Sequence, residues 1–305
     1  DARVYLAAVE RRLLRRLSPP PLLAVVRVHG AIAHAGGPFG GLSTDERVVR
    51  TIRAVRKSRR VRGVLLHVDS PGGSALASDL MHHEIEQLAR DKPVVACMAN
   101  VAASGGYYVA APAKKIVAQP TTVTGSIGVV AARLSLEPLF TRLGIKTEVV
   151  EKGAHAALLS PTGPLDDDTR AALVRELGAT YRAFLGVVAR GRRLAIEEVD
   201  KLARGRVYTG ADAHGVGLVD VLGGFDVAVA ELRQLVDAKV RDRLEIVVAS
   251  TPRAPLAVLD PPEKKDEERL ARALLGLLAR PGERELLALG ARGERVLALG
   301  PVSET

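Results

Sequence analysis

At 305 residues the chain has room for one large domain or two modest ones, and 47% hydrophobic content excludes disorder along its whole length. Cys97 is the single cysteine, so no disulfide framework holds the chain. The net charge of +9, 44 basic against 35 acidic residues, is dispersed; with 3% aromatics and no Trp it points away from nucleic acid and suits an anionic lipid surface equally well.

The chain opens on Asp1, as expected of a processed chain or one cut from something longer. Asp1 to Leu17 alternates apolar residues with arginine in the manner of an amphipathic helix, without the pattern of a signal peptide. Leu22 to Val28 reads as a strand, followed by a glycine-rich loop from Gly30 to Gly41. Thr44 to Arg56 repeats Val48, Val49, Ile52 and Val55 on one helical face, with Ser43 or Thr44 as its cap. Val61 to Val68 is a second strand ending in Asp69-Ser70-Pro71-Gly72-Gly73, Ser78 to Arg90 a helix, and Val94 to Met98 a third strand. Another helix starts near Ala103, and Ile116 to Ala118 is a short strand. The uncharged run from Pro93 to Ala113 is long enough to span a membrane. Its Asn100, Ser104, Gly105-Gly106 and two prolines suit a buried strand entering a helix better, so no transmembrane segment is expected.

Further along, Val149-Val150 closes a strand, and Asp166 to Arg190 is a long helix with acidic residues in its first turn. Helices follow at Glu197 to Ala203 and Asp226 to Leu235, then a last strand at Leu244 to Val248. Strand–helix alternation of this kind predicts a parallel sheet covered by helices. From Thr251 a proline-rich linker leads to a charged helix at Glu263 to Arg280, giving three expected parts: residues 1–20, 21–250 and 251–305.

Three glycine-rich segments follow apolar runs: Asp69 to Ser74, Ala102 to Tyr108 and Thr122 to Val129. Strand ends leading into helices are where α/β folds place their sites, and glycine lets backbone N–H groups approach a ligand oxygen. The first segment is a candidate oxyanion cradle and Ser104 a candidate nucleophile. Taken singly, each segment reads equally well as a turn, with Ser104 and Ser126 as helix caps. Neither a GxGxxG nor a P-loop pattern occurs, which weakens a nucleotide reading. His82, His83 and Glu84 make a poor ligand set, because adjacent helical residues point about 100° apart, so no metal site is expected.

Read together and in order, VDSPGG (Val68 to Gly73), ASGGYY (Ala103 to Tyr108), TGSIG (Thr124 to Gly128), GRVYTGADA (Gly205 to Ala213) and GLVD (Gly217 to Asp220) resemble the SppA-type signal peptide peptidases. These are serine peptidases of the ClpP/crotonase fold, and the resemblance runs from about Leu22 to Leu235. It implies an α/β spiral of ββα and βαβ units with outer helices, and no cofactor. It implies Ser104 as the acyl-forming nucleophile, Gly72 and Gly73 as the oxyanion loop, and Ser126 as the hydroxyl that orients a lysine general base. Such a lysine works only when burial depresses its pKa.

Single-domain members of the family carry that lysine directly after Gly-Ala-His, and here Gly153-Ala154-His155 is followed by Ala156. Four explanations stand. The chain is the serine-bearing second half of a tandem protein whose first half holds the lysine; the lysine was replaced by design, although Ala157 departs from the family as well; Lys152 substitutes; or the protein is a pseudoenzyme. Lys114 and Lys115 read as solvated, His67 as a hydrogen-bonded core residue, and His155 as a weaker alternative base lacking a placed acid partner. The resemblance further implies apolar peptide substrates, self-association or a preceding lysine-bearing domain, and membrane association, with peripheral contact, in a bacterial cell envelope. The rivals are a crotonase-like acyl-CoA enzyme and a peptide-binding scaffold without turnover.

Overall fold

The computed structural model describes residues 19–34, 42–132, 136–148, 152–153, 160 and 166–249. The expected N-terminal helix, the strand at Val149-Val150, residues 154–156 of the Gly-Ala-His-Ala run and everything after Ala249 lie outside them. In chain order the strands are β1 (Leu22–His29), β2 (Ile32–Ala33), β3 (Ser43–Thr44), β4 (Val61–Ser70), β5 (Val94–Ala103), β6 (Lys115–Ala118), β7 (Val123–Gly125), β8 (Val207–Thr209), β9 (Val221–Leu222) and β10 (Glu245–Val248). The helices are α1 (Asp45–Lys57), α2 (Ala75–Asp91), α3 (Gly105–Ala110), α4 (Glu137–Arg142), α5 (Asp167–Arg192), α6 (Ile196–Leu202), α7 (Gly210–Gly215), α8 (Phe225–Leu235) and α9 (Ala238–Arg241).

The sheet runs β10-β1-β4-β5-β6-β9 with every pair parallel. Both faces are covered, which is why β1, β4 and β5 read as nearly continuous apolar runs rather than strict alternations. Side chains still divide with a period of two. Val26, Val28, Leu66, Val68, Ala96 and Met98 join the core beneath α1, α2 and α3, while Leu23, Val25, Leu65, Val95 and Cys97 pack against Ala228, Leu232 and Val236 on the α8 side. Burial pushes the Cys97 thiol up to about 11, so it behaves as a small apolar residue.

The expected helix faces form: Val48, Ile52 and Val55 of α1 are buried, and the uncharged run from Pro93 resolves into β5 and α3. Five short strands were not anticipated; β2 and β3 pair with each other. β7 pairs parallel with β5 and antiparallel with β8, and β9 closes the edge beside β6. Each has three residues or fewer, too short for a periodicity to register, and only partners elsewhere in the chain make them strands.

The late GLVD motif, Gly217 to Asp220, is a brace. Arg192, its side chain 6% exposed, makes a two-pronged ion pair with Asp220 (2.8 and 2.7 Å) and donates through Nε to the Gly217 carbonyl. Asp220 also accepts the Ile116 N–H at 2.7 Å, tying α5 to the start of β6. The buried Tyr107 hydroxyl donates to the Leu218 carbonyl at 2.8 Å, which locks α3 to the same GLVD run. Lys115 corrects an expectation: it is half-buried and ion-paired with Glu231 of α8, whereas Lys114 is exposed.

Candidate active site

β4 and β5 lie side by side, and their ends deliver two of the glycine-rich segments that the sequence singles out. From β4 the chain turns through Pro71 into Gly72 and Gly73, then enters α2, whose N-cap Ser74 accepts the Ala77 N–H. Gly73 sits against Ile32: Ile32 donates to the Gly72 carbonyl at 2.8 Å, and Ser74 donates to the Ile32 carbonyl at 2.9 Å. A Cβ on Gly73, at φ +148, would lie 2.1 Å from the Ile32 carbonyl oxygen, so only glycine fits. The Gly72 N–H is taken by Ser70 Oγ at 3.1 Å, which removes it as a donor to a ligand. Gly73 N–H has no partner among the described residues. Of the two glycines named from the sequence, Gly73 is the one with a donor to spare.

Ser104 stands at the turn from β5 into α3 with φ 50 and ψ −115, a conformation that L-residues avoid. Strain of this kind, of order 1–3 kcal/mol, persists only where the surroundings over-determine it. Here they do. Ser104 N–H donates to the Gly125 carbonyl at 2.9 Å, and the Ser104 carbonyl accepts the Tyr108 N–H at 2.8 Å. Gly106 packs so closely on β4 that a Cβ would meet the Ser70 carbonyl at 2.5 Å. Ser104 occupies the N-cap position, yet its hydroxyl caps nothing, so the reading of Ser104 as a plain helix cap does not describe its side chain. The residue is 4% exposed.

Ser126 is its neighbour across the β5–β7 pairing. The register ends at Ala103↔Gly125, so each serine follows the last paired residue of its strand. Ser126 too has positive φ, 48, and its N–H donates to the Arg206 carbonyl at 2.7 Å. The GRVYTGADA run supplies that carbonyl and, through β8, the strand that backs β7. Thr124, fully buried, donates to the Ala102 carbonyl at 2.7 Å and further fixes the two strand ends.

Two residues were missed from the sequence. Because Ser104 N–H is committed to Gly125, the second free donor beside Gly73 is Gly105 N–H at the start of α3, unpaired among the described residues. A Cβ on Gly105 would come within 3.2 Å of Gly72 Cα and 3.4 Å of Gly73 N, so the two glycine segments touch. A glycine directly after the serine was the available signal. The other is Asp69, whose carboxylate accepts from Val101 N–H and Asn100 Nδ2, both at 3.1 Å.

The remaining candidates fall elsewhere. Lys152 is exposed, so the described residues provide none of the burial that a lysine base needs. His155 and Ala156 lie outside the described residues. His67 is half-buried with Nδ1 2.6 Å from His29 Nε2, and burial holds both imidazoles below their ordinary value. His82 is buried edge-on to Tyr108, and His83 is exposed. Among the described residues no three His, Cys, Asp or Glu side chains converge as a metal site.

Residues 86–239 match the peptidase family S49, a span that contains Ser104 and Ser126. The chain belongs to peptidase family S49. This S49 chain is 39% identical over 234 residues to the chloroplastic serine protease SPPA of Arabidopsis thaliana, a match covering 75% of this chain and 35% of that one. It is 36% identical over 236 residues to Protease 4 of Haemophilus influenzae, covering 77% of this chain and 38% of that one. An Enterococcus faecium chain carrying the signal peptide peptidase SppA name is 35% identical over 193 residues, covering 62% of this chain and 56% of that one. This S49 chain thus spans little more than a third of the length of the first two relatives. Its mixed α/β architecture, with a central sheet between helices, fits the family, and no described helix is long and apolar enough to cross a membrane.

Proposed function

We propose that the chain is a serine endopeptidase domain that cleaves apolar peptides, such as signal-peptide remnants, through an acyl-enzyme on Ser104. The observation that carries this reading is Ser104 itself: a strained serine at a strand-to-helix turn, its hydroxyl and the nearby Gly73 and Gly105 N–H groups without a hydrogen-bond partner among the described residues. A hydroxyl held so, next to paired backbone donors, is built to attack a carbonyl and to hold the oxyanion that forms. Ser104 Oγ adds to the scissile carbonyl carbon and its proton passes to the base. The C–N bond then breaks with the proton delivered to the leaving amine, and water releases the acyl group from Ser104.

Ser126 orients the base, which in this family is a lysine. The exposed Lys152 and the Ala156 position favour a lysine from a preceding domain or a neighbouring copy. The much greater length of the Arabidopsis and Haemophilus relatives is consistent with a tandem partner half. Apolar specificity is supported by Leu76 and Leu80, 57% and 39% exposed on the first turns of α2 directly after the oxyanion loop. The ClpP/crotonase spiral, self-association and peripheral contact with a cell-envelope membrane belong to the same reading. A second reading, an apolar-peptide binder without turnover, is favoured by Ala156 alone.

The test is hydrolysis of a fluorogenic apolar peptide by the chain, by Ala156→Lys, and by Ala156→Lys with Ser104→Ala. Cleavage by Ala156→Lys that Ser104→Ala abolishes is the expected result. Cleavage that survives Ser104→Ala overturns the assignment. Peptide binding with no turnover in any form, and no labelling of Ser104 by a fluorophosphonate, establishes the binder instead.

A further inference from the structure

β4 and β5 keep one register from Val64↔Val94 to Val68↔Met98, and then the pairing jumps to Ser70↔Ala102. Between those pairs β4 has the single residue Asp69, whereas β5 has Ala99, Asn100 and Val101. β5 changes neighbours at the same place: Val95 to Met98 pair with β6, and Val101 to Ala103 pair with β7. A strand that bulges while exchanging partners has lost ladder bonds on both sides, and its path needs another restraint. The Asp69 side chain supplies it. One carboxylate oxygen accepts the Val101 N–H and the other accepts Asn100 Nδ2, both at 3.1 Å. Asp69 is itself anchored, its carbonyl accepting the Gly30 N–H at 2.8 Å. On the far side Thr122 Oγ1 donates to the Ala99 carbonyl at 2.7 Å.

We propose that Asp69 is a positioning residue of this site, its carboxylate fixing the β5 bulge and through it the placement of Ser104 relative to Gly73. The proposal rests on the reading of Ser104 as an acyl-forming serine. Three residues past the clamped Val101 the chain reaches Ser104, and three past Asp69 it reaches Gly72 and then Gly73. One side chain therefore joins the roots of both segments. Asp69 touches no reacting atom. It acts by preventing β5 from sliding toward the regular register, which would draw Ser104 back along the strand.

The requirement is for two acceptors rather than for charge. Asp69→Ala removes both bonds. Asp69→Asn keeps an acceptor for Val101 N–H, and its amide N–H can donate to Asn100 once the Asn100 amide turns over. The experiment takes as its parent the full chain carrying Ala156→Lys, which supplies the base, and measures the second-order rate of fluorophosphonate labelling at Ser104 by mass spectrometry, together with amide hydrogen exchange at Val101. Asp69→Ala is expected to slow labelling roughly 10- to 100-fold, the scale of an ångström-sized misplacement, and to speed Val101 exchange about tenfold. Asp69→Asn should recover to within about threefold of the parent in both, which a field effect of the carboxylate would not produce. Where Asp69→Ala does not fold, Asn100→Ala removes one bond only and should slow labelling roughly threefold. Labelling of the alanine variant at the parent rate, or equal loss in the alanine and asparagine variants, overturns the positioning role and leaves the acyl-serine reading standing. A parent chain that never labels at Ser104 overturns the acyl-serine reading and the positioning role with it.

Discussion

Replacing Gly105 by alanine tests whether the Ser104 turn and the Gly72-Gly73 loop are packed as one unit. The new Cβ would stand 2.5 Å from Ser78 Oγ, 3.2 Å from Gly72 Cα and 3.4 Å from Gly73 N. Ser78 is 1% exposed and its hydroxyl donates to the Ser74 carbonyl at 2.8 Å, so Oγ cannot swing into open space. Overpacking of this kind costs about 1–3 kcal/mol, and replacing a helical glycine returns about 0.5–1, so Gly105→Ala should lose about 1–2 kcal/mol. Ser78→Ala removes the clashing atom and one hydrogen bond, for a loss near 0.5 kcal/mol. If the clash is the cause, the double variant is more stable than the sum of the singles by about 1–2 kcal/mol. Urea unfolding followed by far-UV circular dichroism measures this, since the chain has no Trp to report by fluorescence. The contacts with Gly72 and Gly73 remain in the double variant. Fluorophosphonate labelling of Ser104 should therefore stay roughly tenfold slow although stability returns. Additive stabilities, within about 0.5 kcal/mol, would refute the packing account.

Ser104→Gly should abolish fluorophosphonate labelling at this position while stabilising the fold by about 1 kcal/mol, because glycine lifts the positive-φ strain and gives back part of it as unfolded-chain entropy; a variant no more stable than the parent shows that the turn is unstrained. His29, His67 and His82 are each held below 6.5 mainly by burial, so the unfolded chain binds more protons than the folded one in the range just under that value. Their contribution is complete above about pH 6.5 and is lost as pH falls through the depressed folded values. Thermal midpoints should fall between about pH 7 and about pH 5 and the fall should shrink in His67→Gln; a flat profile rules the linkage out.

Much of the fold was legible because it depends on local pattern. β1, β4 and β5 are apolar runs bounded by Gly and Pro, and α1 shows its buried face at Val48, Ile52 and Val55, periodicities that neighbouring residues suffice to set. The order of the glycine-rich motifs carries the resemblance that marks Ser104, Ser126 and Gly73 as candidates. β5 ran longer than Met98 because its last residues pair with β7, a partner that no local signal announces. The same holds for β8 behind Ser126, for the Arg192–Asp220 pair and for the carboxylate of Asp69 across the bulge.

The division follows from the range of the forces. The chain by itself determined residue identity, helix and strand faces, glycine-bearing turns and the alanine at the expected base position, all set by side-chain type and near-neighbour sterics. Tertiary structure decided which N–H groups remain free. The Ser70 Oγ that takes the Gly72 N–H is a local partner two residues away, whereas the bonds that seat Gly73 with its N–H spare run to Ile32 of β2. Ser104 could cap a helix or stand uncapped, and the Gly125 carbonyl, brought across from β7, holds its backbone at φ 50 with the hydroxyl making no cap bond. A donor's availability depends on what else lies within 3 Å of it, and those neighbours come from distant parts of the chain.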